Sequence, residues 1–197
     1  MSVWGKCLVL VLSIASTAVV RGEEPWPFKA KPAGDYSAHQ TISGVTVGAE
    51  TYELPELMRA PFGKVNPYEH GVLPVLVVIE NKGKSTIRLE GMQVQYVTPD
   101  RTKVDSTPAR DLAYLQGPRR PDTAPSPIPR RKPKNVLASP ELEQRAFAAK
   151  VLPPGEKAFG FFYFQTGVRN PSQLYITGLQ DAATNQELFY FEIPLIH

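Results

Sequence analysis

The longest apolar run in the chain comes first: residues 7–20 are almost uninterrupted hydrophobic side chains, preceded by Lys6. A spanning helix needs about 20 such residues, and Glu23-Glu24-Pro25 ends this run short of that. A positive start, a short apolar stretch and a small-residue exit make up a secretory signal. Cleavage is expected after Val20-Arg21-Gly22 or Ser16-Thr17-Ala18, so residues 1–22 are read as a signal peptide. A buried core helix and an uncleaved anchor are the alternatives.

Beyond the signal the pattern changes period. Residues 23–40 carry Pro25, Pro27 and Pro32 and read as an irregular lead-in, because proline cannot donate to a β-ladder. Residues 41–53 read as one strand, with Val45 and Val47 on one face and a bulge or edge at Gly44 and Gly48. Residues 54–71 read as a loop with one helical turn at 55–59. Residues 72–80 are apolar on both faces, Val75, Val77 and Ile79 on one and Leu76 and Val78 on the other. That pattern predicts a strand covered on both sides.

After an Asn81–Lys84 turn, residues 86–98 alternate, and their apolar phase switches at Glu90-Gly91, where a bulge is expected. Ser139 and Pro140 mark the start of a short helix over 139–150. Three strands follow the Pro153-Pro154-Gly155 turn: 157–166, 172–179 and 187–195. In the last, Phe189, Phe191, Ile193 and Leu195 share a face. Six or seven strands, one short helix and no βαβ alternation predict an all-β fold. Its expected architecture is an immunoglobulin-like antiparallel β-sandwich over residues 41–197 with a proline-rich basic insertion.

That insertion, residues 105–138, is expected to be largely disordered. Within it, residues 117–135 hold six prolines and six Lys or Arg against one Asp, too little apolar surface to fold alone. Leu112, Tyr114 and Leu115 are expected to anchor its base. The whole chain carries a net charge of +3. Loss of the signal removes Lys6 and Arg21 and brings this to about +1. The segment 117–135 alone contributes about +5, so the rest of the exported chain is acidic. The one cysteine, Cys7, lies in the signal. A disulfide, a thiolate ligand and a cysteine nucleophile are therefore excluded from the exported part.

The phrases GVLPVLVVIENKG, QVQYVTPD, LPPGEKAFGFFYFQTG and ELFYFEIPL resemble those of uncharacterised bacterial secreted immunoglobulin-like β-sandwich proteins. The resemblance covers roughly residues 41–195. It implies the fold and an exported location, periplasmic or extracellular, and it implies no activity.

No motif carries chemistry. His39, His70 and His197 lack metal-ligand spacing. There is no G-x-S-x-G elbow and no S-x-x-K. Glu80, Glu90, Asp100 and Asp105 are the acids open to a scattered carboxylate site. No catalytic residue, cofactor or metal is expected, and the chain is read as a non-enzymatic exported binding domain. Its expected partner is another envelope protein or an anionic envelope component, not nucleic acid. The expected contacts are Arg119, Arg120, Arg130, Arg131, Lys132 and Lys134 of the basic segment, with Phe162 and Phe164 of the aromatic strand. A carbohydrate-binding or adhesion module and a hydrolase are the alternative readings. No transmembrane segment is expected once the signal is cleaved.

Overall fold

A strand that is apolar on both faces must lie between two other layers, and the computed structural model places 72–80 that way. It describes residues 28–115, 135–188 and 190–195. The strand is β3 (Leu73–Asn81), after β1 (Ala38–Ile42), β2 (Val45–Thr51) and helix α1 (Pro55–Phe62). Its Val75, Val77 and Ile79 enter the core between two sheets, while Leu76 and Val78 enter a second core under helices. The chain continues through β4 (Ile87–Arg88), β5 (Gln93–Val97), β6 (Lys103–Asp105), helix α2 (Pro140–Arg145) and β7 (Val151–Leu152). It ends with β8 (Lys157–Phe164), β9 (Ser172–Thr177), β10 (Gln180–Asp181) and β11 (Phe191–Leu195).

The first sheet has the order β1-β2-β3-β8, the second β11-β9-β5-β6, and a small one β10-β4-β7. Every named strand pair is antiparallel. The expected all-β class and antiparallel sandwich are therefore borne out. The two large sheets bury Val47, Val77, Tyr96, Phe164, Ile176 and Ile193 between them. Such side chains contribute roughly 1.5–3 kcal/mol each when fully buried. On the side of β1 and β11 the sheets are linked by the Glu192 amide, which donates to Gln40 Oε1 at 2.8 Å. Among the described residues, no helix is long and apolar enough to cross a membrane.

Several boundaries differ from expectation. The expected strand 41–53 is a hairpin, and the lead-in gives way to strand at Ala38. Ser43 and Gly44 take φ of 50° and 79°, the two positive values of a tight hairpin turn whose twist suits the strands. The glycine read as a bulge is thus the turn itself. The expected strand 86–98 breaks into β4 and β5 at a turn, in which the Met92 amide donates to the Leu89 carbonyl at 3.0 Å. The phase switch lies where the sequence puts it, but the chain changes sheet there instead of bulging.

Among the described residues there are two short α-helices instead of one. α1 extends to Phe62 because Met58 and Phe62 bury against the first sheet. α2 stops at Arg145 because the chain then runs beside β8, with Ala146 bridged to Phe161. The insertion is ordered at both ends. β6, a 3-10 turn at Ala109–Tyr114 and another at Val136–Ala138 are all formed. Leu112 and Leu137 are buried, whereas Tyr114 points outward. Residues 116–134 lie outside the described residues, as do the signal and Phe189.

The outer edge of β8 is closed by two single bridges, Thr107 to Tyr163 and Ala146 to Phe161. Close approach there needs a residue without a side chain. A Cβ at Gly160 would lie 2.4 Å from Phe147 Cα and 2.6 Å from its nitrogen. Gly160→Ala is expected to push the 146–147 segment off the strand and cost about 2 kcal/mol. Urea denaturation measures this, and an unchanged midpoint would contradict the packing described.

Candidate functional site

Antiparallel pairing with β3 sends alternate β8 side chains to opposite layers. Phe161 and Tyr163 face the helical layer and are buried. The Tyr163 hydroxyl donates to the Leu142 carbonyl of α2 at 2.7 Å, and burial holds its pKa well above that of an exposed tyrosine. Phe164 faces the sandwich interior, fully buried, with its ring 5.9 Å from that of Tyr96. The expectation that Phe164 contacts a partner is corrected: it pairs with Leu73 and packs with it in the core between the sheets. Helices and lead-in cover the second aromatic face, with Phe28 and Tyr52 packed on Phe161.

Phe162 differs. It is half-buried, and its ring stacks on that of Phe147 at 5.3 Å and 24°. The pair separates two surface hollows. One, of about 450 Å³, lies between the 106–110 and 143–147 segments and includes Pro108, Ala109 and Ala146. The other, of about 400 Å³, includes Leu89, Met92 and Ala149. Sequence reasoning missed Phe147, which it placed in a helix. Its adjacency to Phe162 arises from the parallel Ala146–Phe161 bridge, which has no local sequence signal.

Ala109 and Arg110, which line the first hollow, begin the 3-10 turn that leads into the basic insertion. The return point is fixed beside it: Asn135 Nδ2 donates to the Ala113 carbonyl at 2.7 Å, and Asn135 Oδ1 accepts from the Leu137 amide at 3.0 Å. The two ends of the insertion are thus pinned to each other, and the turn that carries the outgoing end begins in the wall of the hollow. Arg119, Arg120, Arg130, Arg131, Lys132 and Lys134 themselves lie outside the described residues.

A third cavity, of about 540 Å³, opens between the 98–102 turn and the 166–170 loop. Asp100 lies on one side and Arg169 and Asn170 on the other. The Thr98 and Thr102 hydroxyls donate to the two Asp100 oxygens and hold its pKa below the usual carboxylate range. The buried Tyr96 hydroxyl accepts from the Arg169 amide at 3.0 Å and lies 3.3 Å from its carbonyl, fixing the loop.

A depressed carboxylate pKa contributes stability above the unfolded-state pKa. That contribution disappears as pH falls through the folded-state value. Thr98→Val is expected to raise the Asp100 pKa toward its ordinary value. Carboxyl-carbon NMR titration measures this, and an unmoved pKa would contradict the role assigned to Thr98.

The other acids have separate partners. Glu80 accepts from the Ala33 amide at 3.0 Å and faces Lys82 at 3.5 Å, while Asp105 accepts from Gln95 at 2.7 Å. Glu90 lines the second aromatic hollow. His39 Nδ1 lies 2.6 Å from the Tyr36 carbonyl, His70 ends a 3-10 turn, and His197 is outside the described residues. Among the described residues, no group of three His, Cys, Asp or Glu side chains is placed to hold a metal ion.

No protein-family model and no curated protein matches the chain. Solved structures do show likeness. The ycdA protein of Bacillus subtilis subsp. subtilis str. 168, a lipoprotein candidate, is 12% identical over 84% of this chain, with a TM-score of 0.40. This chain spans 39% of that protein. The secreted protein MPT63 of Mycobacterium tuberculosis is 14% identical over 86% of this chain and 99% of its own, with a TM-score of 0.35. A protein of unknown function from Listeria monocytogenes EGD-e is 10% identical over 80% of this chain and 82% of its own, with a TM-score of 0.33. Likeness at this level carries no argument about activity, and the all-β assignment rests on the two four-stranded antiparallel sheets themselves.

Proposed function

We propose that this chain is an exported, non-enzymatic binding domain whose partner is an anionic envelope component or another envelope protein. The observation that carries the reading is the common origin of its two contact elements. The Phe147–Phe162 stack borders the hollow at which the 3-10 turn preceding the basic segment begins. Cations speed encounter with an anionic surface, and an adjoining aromatic anchor supplies affinity that survives salt. The acidic balance of the rest of the exported chain keeps that attraction local to the segment.

Co-sedimentation of residues 23–197 with isolated cell envelopes, at low and high salt, tests this. Binding at low salt is expected to weaken at high salt, because such contacts are screened beyond about 10 Å at 0.1 M salt, and to vanish when residues 117–134 are deleted, which keeps the Asn135 contacts. Phe162→Ala is expected to weaken the salt-resistant fraction about tenfold, the scale of one aromatic anchor. Equal sedimentation of all three proteins, or none at either salt, would overturn the proposal.

A further inference from the structure

The outer face of the second sheet lies on the opposite side of the sandwich from the helical layer, and its register builds a patterned surface. Glu192, Tyr175, Gln95 and Asp105 stand directly opposite one another across β11, β9, β5 and β6. At about 4.8 Å between strands, the row is about 14 Å long. Tyr190, half-exposed, places its ring 5.4 Å from that of Tyr175. The Lys103 ammonium sits 4.3 Å from the centre of the Tyr175 ring. Gln95 and Asp105 are locked together by a 2.7 Å bond from Nε2 to Oδ1. This leaves the Gln95 carbonyl and the second Asp105 oxygen to receive hydroxyl groups.

We propose that this face binds a neutral glycan chain, independently of the basic segment. A sugar ring has an apolar C–H face and a rim of hydroxyls that both donate and accept. Its binding surface therefore needs an aromatic platform beside planar amides and carboxylates. The exposed Tyr190 ring, braced by Tyr175, supplies the platform, with its hydroxyl as a polar handle, and the Glu192–Gln95–Asp105 row supplies the rim.

Charge decides against the other occupants. Lys103 opposed by Asp105 and Glu192 leaves these residues with a net negative charge, which repels a polyanion. A rim of amides and carboxylates across the middle of the face is also unlike the charge-depleted centre of a protein interface.

Isothermal titration with cellohexaose, chitohexaose and maltohexaose at millimolar concentration tests the proposal, on residues 23–197 and on two variants. At least one of the hexaoses is expected to bind. Tyr190→Ala is expected to weaken that binding at least about tenfold, the scale of one lost stacking contact. Tyr114→Ala, at an exposed tyrosine outside the second sheet, is expected to leave it unchanged. Tyr190 is half-exposed, so its removal leaves the core intact, and a circular dichroism spectrum like the parent's verifies this. Failure of all three sugars to bind would overturn the proposal, as would equal binding by Tyr190→Ala. Either result would leave the envelope reading untouched, since that rests on salt-dependent sedimentation and on the segment 117–135.

Discussion

Replacing Phe161 with alanine is expected to lower stability by about 4 kcal/mol, the upper part of the range for large aromatic truncations. Phe161 is 2% exposed and stands where three parts of the chain meet. Its ring centroid lies 4.7 Å from Phe62 of α1, 4.9 Å from Tyr52 and 5.6 Å from Phe28 of the lead-in. Truncation removes the transferred area, leaves a cavity and breaks three ring contacts, the one with Tyr52 edge-to-face at 89°, each worth about 0.5–1.5 kcal/mol.

The cavity cannot collapse easily, because β8 is fixed by β3 on one side and by two bridges on the other. The helices above cannot compensate either. α1 has eight residues and α2 six, and neither gains a capping bond from its N-cap side chain. Helices this short persist through packing, not propensity. Urea denaturation gives the stability change, and hydrogen exchange is expected to show the helical amides losing protection first. A loss below about 1.5 kcal/mol would contradict the anchoring role.

Asn81→Ala is expected to cost about 3 kcal/mol from a side chain that is polar and only 1% exposed. Asn81 Nδ2 donates to the Ser85 carbonyl at 2.8 Å and to the Leu152 carbonyl at 2.9 Å, and its Oδ1 accepts from the Gly83 amide at 3.0 Å. Its backbone also pairs with the 153–156 turn, giving to Glu156 at 3.1 Å and taking from Gly155 at 2.7 Å. One residue therefore ties the turn after β3 to the turn before β8. Alanine leaves a buried carbonyl at Leu152 without its donor, which costs about 1–3 kcal/mol by itself. Asn81→Asp keeps the acceptor for Gly83 but places a carboxylate oxygen against two carbonyls, so it is expected to be no milder. Denaturation midpoints of both variants measure this, and a drop under about 1 kcal/mol in either would contradict the clamp.

Both faces of β3 were legible in the sequence because apolar residues without a break require cover on two sides, and the structure supplies it with a sheet and helices. The buried face of β11 was legible for the same kind of reason: Phe191, Ile193 and Leu195 alternate with Glu192 and Pro194. What failed was the conformation of glycine turns and whatever depended on partners distant in sequence. Glycines mark turns and bulges alike, so the 41–53 segment could not reveal that Ser43-Gly44 folds it back on itself. Asn81 looked like a turn residue, and its second donor target is 71 positions away.

The candidate sites follow the same rule. The stack of Phe147 on Phe162 and the row Glu192–Tyr175–Gln95–Asp105 exist only once strand register is set. Alternation along β9 marks Tyr175 as outward-facing, but it says nothing about which residues stand beside it.

The bridges from Thr107 and Ala146 have a consequence for the life of the protein in a crowded solution. The octapeptide KAFGFFYF has high β-propensity, one charge and no proline, the make-up of segments that stack into cross-β fibrils when bared. A naked sheet edge with that sequence would recruit identical strands from other molecules. Two stitches laid across it deny them a template. Heat or substitution that releases the 107 and 146 stitches before the sheets part is therefore expected to cause fibrillar deposition of an otherwise folded protein.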